Sequence, residues 1–257
     1  IGFLALCFNV KEGRYPPVVD KVTSASGKSR IIHAIRNYVS ECFSSPIYWW
    51  MYAARTFVTA AVPVLGFTIF FPQYELGMGL ERSARYMAWP SLVWIVCAYP
   101  VGMLIDRWGI FRVFTCALWG SVISYVGTFF LVQGPVTFLL SAMCTGILYW
   151  AVMLTQLVYL QALVHPQRVG QLSSANEIAR SLFVMLVAGP FVGWFLHMLK
   201  DYRGTWHLPL IGSLEVGPYR FVNLILALLF FLALLCAKRS IAHWRKRGGP
   251  HAYMPPL

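Results

Sequence analysis

The chain has 257 residues, 58% of them hydrophobic and only 12% charged, with a mean hydropathy of +0.63. Soluble domains carry about 25% charged residues, so a water-soluble globule is excluded. The formal charge of +12 does not point to nucleic acid, because it gathers in the connections between apolar stretches, where the positive-inside rule accounts for it.

In chain order, Ile1 to Val10 reads as the end of a preceding transmembrane helix, so the sequence looks truncated at its start, and no signal peptide is visible. Residues 11–46 form a polar linker. Pro16 and Pro17 make its first part extended. Its second part, about 30–43, places Ile31, Ile32, Ile35, Tyr38, Val39, Cys42 and Phe43 at helical spacing with Arg30, Arg36, Asn37 and Glu41 between them. That pattern predicts an amphipathic helix, lying on a membrane face or packed on neighbouring loops. Ser45 and Pro46 then supply an N-cap and a first-position proline for the next helix.

Residues 47–237 hold six apolar spans, each long enough for the roughly 20 residues a bilayer core requires. Span A covers about 47–71, B 86–105, C 113–132, D 136–164, E 172–199 and F 221–237. From Val113 to Val164 there is no Lys, Arg, Asp, Glu or His, and Gln133-Gly134-Pro135 is the turn that divides this stretch. The linker, the B–C loop, the D–E loop and the basic tail 238–257 hold most of the Lys and Arg; the opposite connections hold Arg82, Arg85, Lys200, Arg203 and Arg220. The linker side and the C-terminus are therefore expected in the cytoplasm, in a multi-pass protein of an inner or plasma membrane. Six scattered cysteines without a CxxC pair predict neither disulfides nor a zinc site.

The charges that interrupt the apolar pattern are the candidate functional groups. Arg55 lies two turns into span A, on one helical face with Tyr52 and Thr59. An arginine at a bilayer centre costs about 2.5–3.5 kcal/mol on insertion scales, which favours a position facing the bundle interior. In span E, Glu177 and Arg180 are three apart and form a charge pair. The pair reads either as an ordinary ion pair at a helix end or as one that breaks during transport, exchanging partners with Arg55 or Asp106. Span D carries Tyr149 and Gln156 along one side. Neutral hydrogen-bonding groups with aromatics suit a sugar, although Tyr and Trp also populate membrane interfaces. The B–C loop reads Gly102-x-x-x-Asp106-Arg107-x-Gly109-x-x-Arg112. Its carboxylate and two arginines are placed to form a charge cluster, with Gly102 permitting close helix approach and Gly109 a tight turn; the bland alternative is a topogenic loop.

This motif resembles the G-x-x-x-D-R-x-G-[RK]-[RK] loop of the major facilitator superfamily. It matches at Gly102, Asp106, Arg107 and Gly109, and departs at Ile110 and Phe111, with Arg112 one position late. Lys11-x-Gly13-x-Tyr15-Pro16 also resembles the linker of the glycoside–pentoside–hexuronide cation symporters. The resemblance implies an all-α fold: a six-helix bundle forming the second half of a twelve-helix transporter, with a missing N-terminal half. It implies secondary active transport of a small-molecule substrate, a sugar or glycoside, coupled to a proton or sodium ion. On this reading Tyr52, Arg55, Thr59, Tyr149 and Gln156 contact substrate, and the loop motif gates. An organic anion such as a hexuronide is the alternative substrate, and a non-transporting receptor or scaffold the alternative role. No cofactor or metal is expected. Without HExxH, GxSxG or paired intramembrane aspartates, and with all six histidines near or beyond span ends, the residues do not suggest an enzyme.

Overall fold

The computed structural model describes residues 36, 38–208 and 212–256. The segments 1–10 and 11–35 of the sequence reading lie outside them. Of the expected amphipathic helix, residues 38–43 are described and are helical. Residues 40–257 form one compact unit.

Among the described residues, six helices are long and apolar enough to cross a membrane: α1 (Pro46–Tyr74), α2 (Leu80–Trp108), α3 (Ile110–Leu131), α4 (Pro135–Leu163), α5 (Pro166–Met198) and α6 (Pro218–Lys246). Proline opens α1 and α4 at a position where its missing N–H costs nothing. Ser45 precedes Pro46 in extended conformation but makes no capping bond. Pro190 removes a main-chain donor within α5, and the helix answers with a π turn over Val184–Ala188. Gly109, at φ 79°, is the one-residue joint between α2 and α3, a conformation that favours glycine.

The helices outrun the hydropathic spans. α2 begins at Leu80 and α5 at Pro166, and α6 runs through Lys238 and Arg239 to Lys246. Charged residues end a hydrophobic run, but they do not end a helix whose terminal turns project into water. The predicted tail 238–257 therefore begins as helix. It turns at Gly248 and Gly249, both at positive φ, into the short helix α7 (Gly249–Ala252).

The connection from α5 to α6 carries the one departure from an all-helical chain among the described residues. Strand β1 (Gly204–Leu208) pairs antiparallel with β2 (Gly212–Val216), Trp206 opposite Leu214. Leu214 and Val216 are buried against Phe129, and the Trp206 ring lies 5.8 Å from it. The hairpin thus caps one end of the bundle. The other end, where α1 begins and α6 finishes, is called the basic end below.

α6 packs on both α1 and α3; α4 packs on α3 and α2; α5 packs on α1. The neighbour order is therefore α5, α1, α6, α3, α4, α2. A Cβ on Gly146 of α4 would overlap the Pro90 ring of α2, so this glycine sets the close approach of those helices. Gly102, expected to serve such an approach, has nothing within 4 Å of where its Cβ would stand.

Candidate functional site

Toward the basic end, one polar cluster joins α1 to α5. Arg55 is 1% exposed. Its Nη1 donates to Asn176 Oδ1 at 2.5 Å and its Nη2 to Glu177 Oε1 at 3.4 Å. Glu177 is also ion-paired with Arg180. Arg180 in turn donates to Thr59 Oγ1 at 3.2 Å, and the Thr59 hydroxyl donates to the Arg55 carbonyl at 2.9 Å. Helical spacing makes the cluster possible: 55 and 59 share a face of α1, and 176, 177 and 180 share a face of α5. Two guanidinium groups meet one carboxylate, leaving one net positive charge. Arg55 Nε and Asn176 Nδ2 are buried without a hydrogen-bond partner among the described residues.

Tyr52, one turn before Arg55, is also buried and donates to the Cys42 carbonyl at 3.3 Å. The three span-A candidates are thus close together, but they are engaged with protein groups.

Nearer the hairpin end lies a cavity of about 140 Å³. Its wall includes Ser91 from α2, Tyr125 and Thr128 from α3, Ser141, Thr145, Tyr149 and Trp150 from α4, and Asn223 from α6. Thr128 and Thr145 donate into their own helices, to the Ser124 and Ser141 carbonyls. That satisfies their protons and leaves oxygen lone pairs for the cavity. Thr128 and Ser141 hydroxyls lie 2.5 Å apart. Trp150, in this wall, is stacked on Trp94 of α2 with centroids 6.3 Å apart. Every hydrogen-bonding side chain in this wall is neutral.

Tyr149 lies in that wall; Gln156 does not. Seven residues separate them, about 10 Å along the helix axis. Gln156 is 5% exposed, its amide nitrogen 3.0 Å from Met153 Sδ, its Oε1 without a partner among the described residues. The structure therefore separates the two span-D candidates.

The loop motif is spread over the surface of the basic end. Asp106, Arg107 and Arg112 are exposed, and none forms an ion pair among the described residues. The expected charge cluster is absent here because Asp106 and Arg107 end one helix while Arg112 begins the next across the Gly109 joint. Arg107, in the last turn of α2, is well placed against the helix dipole.

Sequence reasoning missed a second network at the hairpin end. Glu75 accepts hydrogen bonds from the backbone N–H groups of Gly217 (3.0 Å) and Tyr219 (3.1 Å). Burial pushes its carboxyl above the usual range, against the pull of those two donors and of Arg220. Arg220, 3% exposed, donates to the carbonyls of Phe129 (2.6 Å) and Val132 (2.8 Å) at the end of α3, and its guanidinium sits 5.3 Å from the Phe71 ring centroid. In sequence Arg220 is an ordinary loop cation, and nothing links it to residues nearly ninety positions earlier.

Among the described residues, six helices long and apolar enough to cross a membrane are those of an integral, multi-pass membrane protein. Residues 1–190 match the Major Facilitator Superfamily, and the chain belongs to that superfamily of transporters. No curated protein matches the sequence.

Proposed function

We propose that this chain forms half of a secondary transporter for a small neutral hydroxylated solute, a sugar or glycoside, working by alternating access. The observation that carries this reading is the cavity wall: its polar groups are hydroxyls, an indole and an amide, with no charge among them. Such groups match a sugar's hydroxyls, and Tyr149 and Trp150 offer ring faces. At about 140 Å³ the cavity is below the roughly 300–1,000 Å³ of complete ligand sites, which suits one half of a site shared with the rest of the transporter. The basic end faces the cytoplasm on this reading. Coupling to a proton or sodium ion would engage Glu177, the carboxylate shared by Arg55 and Arg180. Breaking and remaking that pairing would loosen and fasten α1 against α5 as the inner end changes shape. The exposed Asp106 loop adds a gating contact in a state other than this one.

A second reading, transport of an organic anion such as a hexuronide, draws on the surplus positive charge of the Arg55 cluster. Uptake by the full-length protein in proteoliposomes separates the two. Neutral reading: Tyr149→Phe lowers affinity for a transported sugar several-fold, and Arg55→Gln slows turnover of every substrate alike. If Arg55→Gln abolishes transport of anions alone, the anion reading replaces it.

A further inference from the structure

A second cavity lies outside the interior of the bundle. It measures about 600 Å³ and lies at the hairpin end, where α1 finishes and β1 and β2 begin and end. It shares no residue with the central cavity. Its volume falls within the range of complete small-molecule sites.

One wall is aromatic. The Tyr74 and Tyr219 rings, both in the lining, stack 5.0 Å apart at 19°, and Tyr74 is 67% exposed. The other wall carries Lys200 and Arg203, both exposed and neither in an ion pair among the described residues. Two carboxylates complete the lining. Glu75 is committed to the Gly217 and Tyr219 amides and lies in the field of the buried Arg220. Glu215 is exposed on β2. The lining thus holds two cations and two carboxylates; Glu75 is already held by main-chain amides and lies near the buried Arg220, which leaves Lys200 and Arg203 to meet an anion.

We propose that this cavity is a second ligand site and that it takes a monocarboxylate carrying a flat ring. The carboxylate sits at Lys200 and Arg203, where the guanidinium fork offers paired donors. The ring lies on the exposed Tyr74. The site stands whether or not the central cavity takes a sugar.

The test is titration calorimetry on the full-length protein in nanodiscs, with indole-3-acetate as probe and indole-3-acetamide as its uncharged isostere. The acetate should bind saturably and at least tenfold more tightly than the amide, and rising salt should weaken it, as expected for exposed charges. Lys200→Gln with Arg203→Gln should abolish the tenfold preference, Tyr74→Leu should weaken both ligands, and Tyr149→Phe should change neither. The charge-preserving pair Lys200→Arg with Arg203→Lys should keep the preference, which controls for misfolding. Equal binding of acid and amide, no saturable binding of the acid, or an unchanged preference in the glutamine pair would each overturn the proposal.

Discussion

The two ends of the bundle hold their buried charges in opposite ways. At the hairpin end, charge meets main chain: Glu75 caps the amides of Gly217 and Tyr219, and Arg220 caps the carbonyls of Phe129 and Val132. These carbonyls belong to the last turn of α3 and the residue that caps it, where no further helical donors are on offer. At the basic end, charge meets charge: Arg55 and Arg180 share the Glu177 carboxylate across α1 and α5. Backbone groups at a helix end cannot turn away without unwinding the helix. A side-chain ion pair separates by a change of rotamer. On the proposed reading, the hairpin end is a fixed hub for α1, α3 and α6, and the basic end a fastening that opens.

The basic end has a second fastening, which is also made of side chains. The Tyr253 hydroxyl donates to the Leu163 carbonyl at 2.7 Å, and the Tyr48 hydroxyl donates to the Pro256 carbonyl at 2.8 Å. The chain after α6 thus ties the end of α4 to the start of α1. Trp244 lies between Phe111 (4.4 Å) and Tyr253 (6.2 Å), extending the tie to α3.

The largest expected effect comes from breaking the fixed end. Arg220→Leu strands two carbonyls that now accept from a charged donor. Hydrogen bonds to charged groups contribute about 1.5–3 kcal/mol each, so the loss should exceed about 3 kcal/mol in thermal or denaturant unfolding. A loss under about 1 kcal/mol would remove the hub from the account. Glu177→Gln comes next. It leaves Arg55 and Arg180 facing each other without their shared carboxylate, so turnover in proteoliposomes should fall at least tenfold. Its stability cost should be smaller than that of Arg220→Leu, because Glu177 is partly solvated, its side chain 42% exposed. If Glu177→Gln transports normally, the cluster is a static brace.

Tyr149→Phe should cost about 1 kcal/mol of binding for a hydroxylated solute, the worth of one neutral hydrogen bond, with stability unchanged within about 0.5 kcal/mol. The smallest effect is expected from Tyr253→Phe, a loss of about 1 kcal/mol or less in unfolding. Burial pushes the Tyr253 hydroxyl up to about 12, so this difference should stay constant from neutral pH to mildly alkaline pH. A group with a raised pKa in the folded state keeps its contribution below the ordinary value and loses it only as pH climbs through the raised one. A difference that fades near pH 9 would mean the hydroxyl ionises early and the tie to Leu163 is not formed.

The spans were legible because the run from Val113 to Val164 carries no charge. Their ends were not, because Glu81, Arg82, Lys238 and Arg239 stop a hydropathic count without stopping a helix. Arg55, Glu177 and Arg180 could each be singled out by the cost of a charge at depth. That Asn176 takes the shortest bond from Arg55 could not be, since 121 residues separate them and only tertiary packing sets that register. The hairpin was hidden by Pro209 and Gly212, which read as loop punctuation. Its Trp206 and Leu214 gain their meaning only from Phe129 in α3.

The contrast between the two ends is tested most directly by paired distance measurements on the full-length protein. Spin labels at Trp49 and Gln167 report the α1–α5 separation at the basic end; labels at Tyr74 and Lys200 report it at the hairpin end. The account predicts two distances at the basic end, with a balance that shifts on adding transported solute and moves to the open form in Glu177→Gln. It predicts one solute-insensitive distance at the hairpin end. A single fixed distance at the basic end, or two at the hairpin end, would contradict it.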